Sequence, residues 1–167
     1  MTFCCLRAPN MSEKYLREFW PSDVPLSFTD PDRRYLTMRT CECILAASGT
    51  AVLETALAGI PTIVTYRVSP FSALVARLLV KIPWVSLPNL IMNREIFPEL
   101  LQENAVPDRM AAQLALWLDD PERLAAVCSD LEELRRRCGE PGSAGRAARR
   151  LLEDMALPIR REEPIIA

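Results

Sequence analysis

A Ser-Gly-Thr triplet at Ser48, Gly49 and Thr50, a glutamate at Glu54 and an arginine at Arg67 hold the clearest chemical potential in this chain. The triplet stands between an apolar run, 43–47, and a helical pattern, 49–58. The first turn of a helix that follows a parallel strand offers unpaired N–H groups and a positive dipole end to an anion. Gly49 allows close backbone approach, and Ser48 and Thr50 add hydroxyls. Glu54 lies one turn beyond Thr50 and off the Val52, Leu53, Ala56 and Leu57 stripe, so Thr50 and Glu54 share a face. A diphosphate at the turn would leave a sugar hydroxyl pair near Glu54, whose carboxylate can accept two hydrogen bonds, as a nucleotide's ribose requires. Tyr66 and Arg67 close the next strand pattern at the same edge, where a guanidinium could offer paired donors to phosphate oxygens. Ser86, Asn89, Arg94 and Glu95 follow the last expected strand and bring hydroxyl, amide and charged groups toward the same cleft.

Each residue also has an ordinary reading. Ser-Gly-Thr before a helix serves as an N-cap, a helix glutamate is commonly a solvated surface group, and arginine is mostly exposed. Loop polarity alone specifies nothing. The chain has no histidine, which removes Ser-His-Asp and Cys-His catalysis and the mixed zinc sites. The six cysteines show no CxxC spacing and read as reduced structural thiols, so neither a metal nor a cofactor is expected. A net charge of −2 lacks the footprint of a nucleic-acid binder. The opening residues have no basic segment ahead of a long apolar core, and no run of about 18 apolar residues occurs, so the expected address is cytoplasmic. Peripheral membrane contact stays open.

The elements that must position these residues alternate. Residues 2–6 are β-compatible, Ala8, Pro9 and Asn10 form a breaker, and Ser12 can cap a helix over 12–19. A strand follows at 24–28, a helix opened by an Asp30 cap and Pro31, and the apolar strand 43–47. The helix at 49–58 is stopped by Gly59, and 62–66 is rich in β-branched residues. Phe71, Leu74, Val75, Leu78 and Leu79 recur at helical spacing, and Pro83 precedes an expected last strand at 84–86 and a loop at 87–89. Strands alternating with helices imply an α/β fold with a parallel sheet of about five strands. Beyond Arg94 the expectation is helical: 95–103, 107–118 and 121–138, the last with Leu124, Val127, Leu131, Leu134 and Cys138 on a seam. A fourth helix presents Ala144, Ala147, Ala148, Leu151, Leu152 and Met155. The organisation expected is one domain over 1–157, with βα repeats to 92 and a helical part over 93–157, then a loose tail at 158–167. The helix over 71–80 reads as a core element or a membrane-facing one. Arg135, Arg136 and Arg137 read as a solvated helix end or a lipid-headgroup site.

The segments ASGTAVLETALAGIPTIVTYRVSP and VARLLVKIPWVSLPNLIMNREIFPELLQ resemble the C-terminal half of bacterial lipid-A-disaccharide synthase. Ala8, Pro9 and Asn10 fit that family's strand-ending Ala-Pro segment. The combination of Ser86-Leu87-Pro88-Asn89, Arg94-Glu95 and Pro98-Glu99-Leu100-Leu101-Gln102 is the specific part. The resemblance implies a two-domain GT-B glycosyltransferase that uses no metal and binds a UDP-sugar in a Rossmann-like C-terminal domain. It implies transfer of diacylglucosamine from UDP-2,3-diacylglucosamine to 2,3-diacylglucosamine 1-phosphate, giving a β-1,6-linked disaccharide and UDP. On that likeness Ser48, Gly49 and Thr50 hold the diphosphate and Glu54 the ribose. Tyr66, Ser86, Arg94 and Glu95 line the site, while Arg67 and Asn89, near the phosphates or sugar, are the catalytic candidates.

The family's N-terminal acceptor domain and the first βα unit of its C-terminal domain have no counterpart in the sequence. The chain is therefore expected to be a fragment, a split product or a partial sequence, inactive alone. The resemblance also implies a homodimer through C-terminal helices and peripheral contact with the cytoplasmic face of the inner membrane. Two alternatives stand beside it: a non-catalytic nucleotide-sugar-binding or assembly module, and a UDP-N-acetylglucosamine epimerase-like GT-B half-domain. The Ser86-Leu87-Pro88-Asn89 segment argues against the second.

Overall fold

The computed structural model describes residues 2–8, 10–79 and 81–156, with the side chains of 74–78 and of 156 outside that description. Pro9 of the expected breaker, the tail expected at 158–167 and the side chains of Leu74, Val75 and Leu78 fall outside it. The chain divides into two compact units, Met1–Arg137 and Cys138–Ala167.

The first unit alternates β1 (Phe3–Leu6), α1 (Glu13–Arg17), β2 (Leu26–Thr29), α2 (Arg34–Met38), β3 (Ile44–Ala47), α3 (Thr50–Ala58), β4 (Thr62–Tyr66) and α4 (Pro70–Leu79). It continues with α5 (Leu87–Met92), β5 (Glu99–Leu101), α6 (Pro107–Leu118) and α7 (Pro121–Cys138). All strand pairs are parallel, as expected for strands joined through helices. β1 pairs with β2 in a two-stranded ladder, and β3, β4 and β5 form a three-stranded one with β4 in the middle. The registers Ala47 to Thr65 and Tyr66 to Leu101 bring the carboxyl ends of β3, β4 and β5 to one edge.

Local chemistry explains most boundaries. The Ser12 hydroxyl accepts from the Tyr15 N–H at 3.2 Å and opens α1. Gly59 ends α3 with φ 83°, the left-handed cap that glycine adopts without strain. Asp30 makes no side-chain cap; Pro31–Arg33 forms a short 3-10 turn, and the Asp30 carboxylate instead pairs with Arg7 at 3.0 Å.

Two expected elements are replaced by others. Residues 84–86 are not a strand, because the Val85 and Ser86 amides donate to the Glu99 carboxylate and Pro88 sits in the first turn of a helix, α5, where a loop had been expected. The segment 95–103 is not a helix. Pro98 would break one, and Glu99–Leu101 instead pairs with β4 and supplies the fifth strand.

The core gathers Val52 and Ala56 of α3, Val64 of β4, Met92 of α5, Ile96 and Phe97, and Leu131 and Leu134 of α7. The seam of α7 therefore packs on the sheet's own layer, with Leu124 and Val127 half-buried and Cys138 exposed. The stripe of α3 is rotated from the expected one: Thr55 is buried and Leu57 is exposed. Burial of Thr55 is satisfied by its hydroxyl, which bonds the Val52 carbonyl at 2.9 Å and the Thr62 hydroxyl at 2.8 Å. At the ends of α4, Phe71 and Leu79 are exposed.

In the second unit α8 spans Ser143–Ala156, with Arg146 donating to the Pro141 and Glu140 carbonyls at 2.8 and 2.9 Å. Arg150 pairs with Asp154 one turn on, at 3.0 Å. Leu151, Leu152 and Met155 of its apolar stripe are exposed.

Candidate functional site

β3 ends at Ala47, and Ser48 continues the ladder through its N–H to the Thr65 carbonyl at 3.0 Å. That bond fixes Ser48 at the sheet edge before the chain turns into α3. Gly49, not Ser48, is the N-cap residue, and among the described residues no side-chain hydrogen bond caps this helix. The ordinary role of a Ser-Gly-Thr triplet, satisfying its own helix, is thus not the one adopted. A Cβ on Gly49 would meet no atom within 4 Å, so packing within the chain does not require glycine there. Gly49 and Thr50 are exposed and Ser48 is half-buried. First-turn amides with this dipole form a place where an anion can be held.

Glu54 lies one turn further along α3, half-buried, with its side chain 32% exposed. Its Oε1 lies 3.5 Å from Nη2 of Arg34, the first residue of α2, which follows β2. The same Nη2 donates to the Tyr35 hydroxyl at 2.8 Å, and the guanidinium carbon sits 4.6 Å from the Tyr35 ring centroid. The Tyr35 bond, followed by the charge of Glu54, holds the Arg34 guanidinium more firmly protonated than usual. Sequence reasoning missed Arg34, because its relation to Glu54 exists only once α2 and α3 lie beside one another in the fold.

Arg67 follows β4 at that edge, exposed but engaged. Its Nε and Nη2 donate to the Gln102 carbonyl at 3.4 and 3.3 Å, and Nη2 also donates to the Ala105 carbonyl at 3.2 Å. Gln102, after β5, has φ 51°, a left-handed conformation unusual outside glycine. Its amide, oriented by its hydrogen bonds, pairs with both the N–H and the carbonyl of Val68 at 3.2 Å. The ends of β4 and β5 are therefore clasped together. Tyr66, the last residue of β4, is exposed at 46%.

Ser86 and Asn89 occupy a different setting. Asn89 is 0% exposed, and its side chain is filled: Nδ2 donates to the Phe97 carbonyl at 2.8 Å and to Glu99 Oε1 at 2.9 Å, while Oδ1 accepts from the Ile96 and Phe97 amides at 2.9 Å each. The Ser86 hydroxyl donates to Glu99 Oε1 at 2.7 Å. Glu99 thus receives the amides at the start of α5, the Ser86 hydroxyl and the Asn89 amide. Sequence reasoning named two members of this network and missed its hub. The signal available was the joint presence of Ser86-Leu87-Pro88-Asn89 and Pro98-Glu99-Leu100-Leu101-Gln102, which the structure shows to be two sides of one hydrogen-bonded joint.

Arg94 forks onto Asp130 of α7 with two 2.7 Å bonds and reaches Glu133 at 3.5 Å, which raises its basicity chiefly through the Asp130 bonds. That guanidinium is committed to α7. Glu95 is exposed. Two of the three arginines of the basic triplet on α7 are also structural: Arg135 donates to the Leu57 carbonyl at 3.1 and 2.6 Å, and Arg137 donates to the Ile91 and Met92 carbonyls at 3.4 and 3.3 Å. Arg135 thus closes the carboxyl end of α3 and Arg137 that of α5. The structure brings Ser48, Gly49, Thr50, Tyr66 and Arg67 to one edge with Glu54 a turn inside it, and uses Ser86, Asn89 and Arg94 as internal ties.

A sequence model of the family described as Lipid-A-disaccharide synthetase matches residues 14–150. The chain is 39% identical to a lipid-A-disaccharide synthase of Syntrophus aciditrophicus over 139 residues, 80% of this chain and 36% of that protein. The synthase of Persephonella marina is 38% identical over 153 residues, 89% of this chain and 40% of the relative. That of Sodalis glossinidius is 42% identical over 131 residues, 77% and 34% respectively. The chain spans little more than a third of the length of these relatives.

Proposed function

The chain belongs to the lipid-A-disaccharide synthetase family, and from that premise we propose that it carries the donor side of a hexosyl transfer from a UDP-sugar to an acylated glucosamine phosphate. The proposed reaction joins UDP-2,3-diacylglucosamine to 2,3-diacylglucosamine 1-phosphate and releases UDP. The observation that carries this reading is the corner at 48–50: a helix start without a side-chain cap, open to solvent, with a carboxylate one turn in. The diphosphate lies against Ser48, Gly49 and Thr50, and the ribose hydroxyls bond Glu54. Tyr66 borders the sugar. Arg67, whose Nε and Nη2 serve the Gln102 and Ala105 carbonyls, faces the phosphates with Nη1. Charge that builds on the departing UDP meets the α3 amides and this guanidinium, which stabilises the transition state more than the ground state. Ser86 and Asn89 act as positioning residues that fix β5, and with it the Gln102 carbonyl under Arg67.

The acyl chains of both substrates favour peripheral membrane contact, with exposed Phe71 and Leu79 of α4 as the supporting feature. Among the described residues no helix is long and apolar enough to cross a membrane. A homodimer through the apolar stripe of α8 belongs to the same proposal.

Titration of the 167-residue chain with UDP tests the reading. Saturable binding, weakened about tenfold or more in Glu54→Ala and Thr50→Ala by loss of charge-assisted and hydroxyl hydrogen bonds, is the expected result. A chain that does not bind UDP refutes the donor-side reading and favours an assembly partner. A UDP-release assay on the same sample is expected to show no turnover, and release at a steady enzymatic rate would show that these residues contain the acceptor machinery as well.

A further inference from the structure

We infer that Arg34 is a positioning residue that sets the Glu54 carboxylate for the ribose and thereby gives the site its preference for ribose over deoxyribose; this rests on the donor-side reading above. A carboxylate on a helix surface ordinarily samples several rotamers, and a sugar hydroxyl pair recognises it well only when one of them is held. Here the constraint comes from outside the helix. Nη2 of Arg34 stands between the Tyr35 hydroxyl at 2.8 Å and Glu54 Oε1 at 3.5 Å, with the guanidinium over the Tyr35 ring at 4.6 Å. The ring and the hydroxyl together fix where the cation sits, and its charge, 3.5 Å from Oε1, favours the Glu54 rotamer that turns this oxygen toward it. Oε2 then remains to accept the ribose hydroxyls on the face that Glu54 shares with Thr50. An isolated exposed ion pair adds little stability, which suits a residue whose contribution is orientation. Arg34 and Glu54 belong to different helices, α2 and α3, so the pair ties two elements distant in the chain.

The test compares UDP with 2′-deoxy-UDP as titrants. The wild-type chain is expected to bind UDP about tenfold more tightly than 2′-deoxy-UDP, the ratio that loss of one hydrogen bond to a charged group implies. Arg34→Ala brings the ratio close to one by weakening UDP more than 2′-deoxy-UDP, which keeps only the 3′-hydroxyl; Arg34→Lys restores part of the ratio, and Tyr35→Phe reduces it while keeping the ring. Thermal melts of all variants coincide with the wild type, since Arg34 is 44% exposed. If Arg34→Ala discriminates as well as the wild type, the positioning role is wrong while UDP binding stands. If the wild-type chain fails to bind UDP, or binds both nucleotides equally, the donor-side reading fails at Glu54 and this inference goes with it.

Discussion

The corner at 48–50 and the joint at Ser86, Asn89 and Glu99 look alike as strings of small polar residues after apolar runs, yet the folded chain treats them in opposite ways. At the corner, hydroxyls and first-turn amides stand at an exposed edge with no side-chain cap. At the joint, every hydrogen-bonding position of the Asn89 side chain is taken up inside the protein. Polar atoms buried with partners specify a structure, whereas polar atoms left open at a strand edge are available to a ligand. Arg67 stands between the two cases: exposed, but anchored to backbone carbonyls.

Mutation should separate the two regions most sharply through stability. Asn89→Ala leaves the Ile96 and Phe97 amides and the Phe97 carbonyl without partners in a buried site. The expected loss is about 3 kcal/mol, read as a lowered urea midpoint. Glu99→Gln, which turns an acceptor into a donor facing donors, is expected to cost roughly 2 kcal/mol by the same route. Thr50→Ala, at the open corner, should stay within about 0.5 kcal/mol of the wild type. A Thr50→Ala loss equal to that of Asn89→Ala would erase the distinction and make the corner a structural cap after all.

The difference between the regions also marks what was legible before folding. Elements bounded by local chemistry could be read directly: the strand over Thr62–Tyr66 from its β-branched residues, the end of α3 from Gly59, and α6 and α7 from Pro107 and Pro121. β5 could not, because three residues carry no period and Glu99–Leu101 becomes a strand only by pairing with Val64–Tyr66. Pro98 was the local warning against a helix there. Leu87-Pro88-Asn89 resembled a loop because proline both ends and begins helices, and the deciding acceptor, Glu99, lies beyond Pro98 in the chain. For the site, the corner and Glu54 followed from spacing, while Arg34, Glu99 and Gln102 depend on contacts between elements. The sequence likewise could not distinguish Asn89 as a buried tie from Asn89 as a ligand, since both need the same amide.

A smaller effect probes how the two regions communicate through α7. The Arg135 guanidinium bonds the Leu57 carbonyl at the far end of α3, the helix whose start forms the open corner. Arg135→Gln removes a cation from a helix carboxyl end and is expected to cost about 0.5–1 kcal/mol in the urea midpoint. UDP affinity should stay within twofold, because the first-turn amides are set by the Ser48 ladder bond. A tenfold loss of affinity would mean that the corner depends on the whole length of α3 and is not an independent feature of the sheet edge.

The smallest expected effect is an acid limb in stability carried by α7, the helix behind the closed region. Glu133 is held below the usual carboxylate range, first by the hydrogen bond from Arg137 and then by the charges of Arg137 and Arg94. Asp120, at the start of α7, is lowered first by the Arg123 backbone N–H, which it accepts at 3.2 Å. A carboxylate with a depressed folded pKa stabilises the fold above its unfolded pKa, and that contribution is lost as pH falls through the folded value. The urea midpoint should therefore be flat from neutrality to about pH 5 and decline below the ordinary Glu and Asp range, roughly pH 4. Glu133→Gln combined with Asp120→Asn lowers the plateau slightly and flattens the decline, and because both carboxylates are exposed, added salt weakens the Glu133 part. If the double variant falls as steeply as the wild type, the α7 carboxylates do not carry the acid limb and their lowered pKa values contribute nothing measurable to stability.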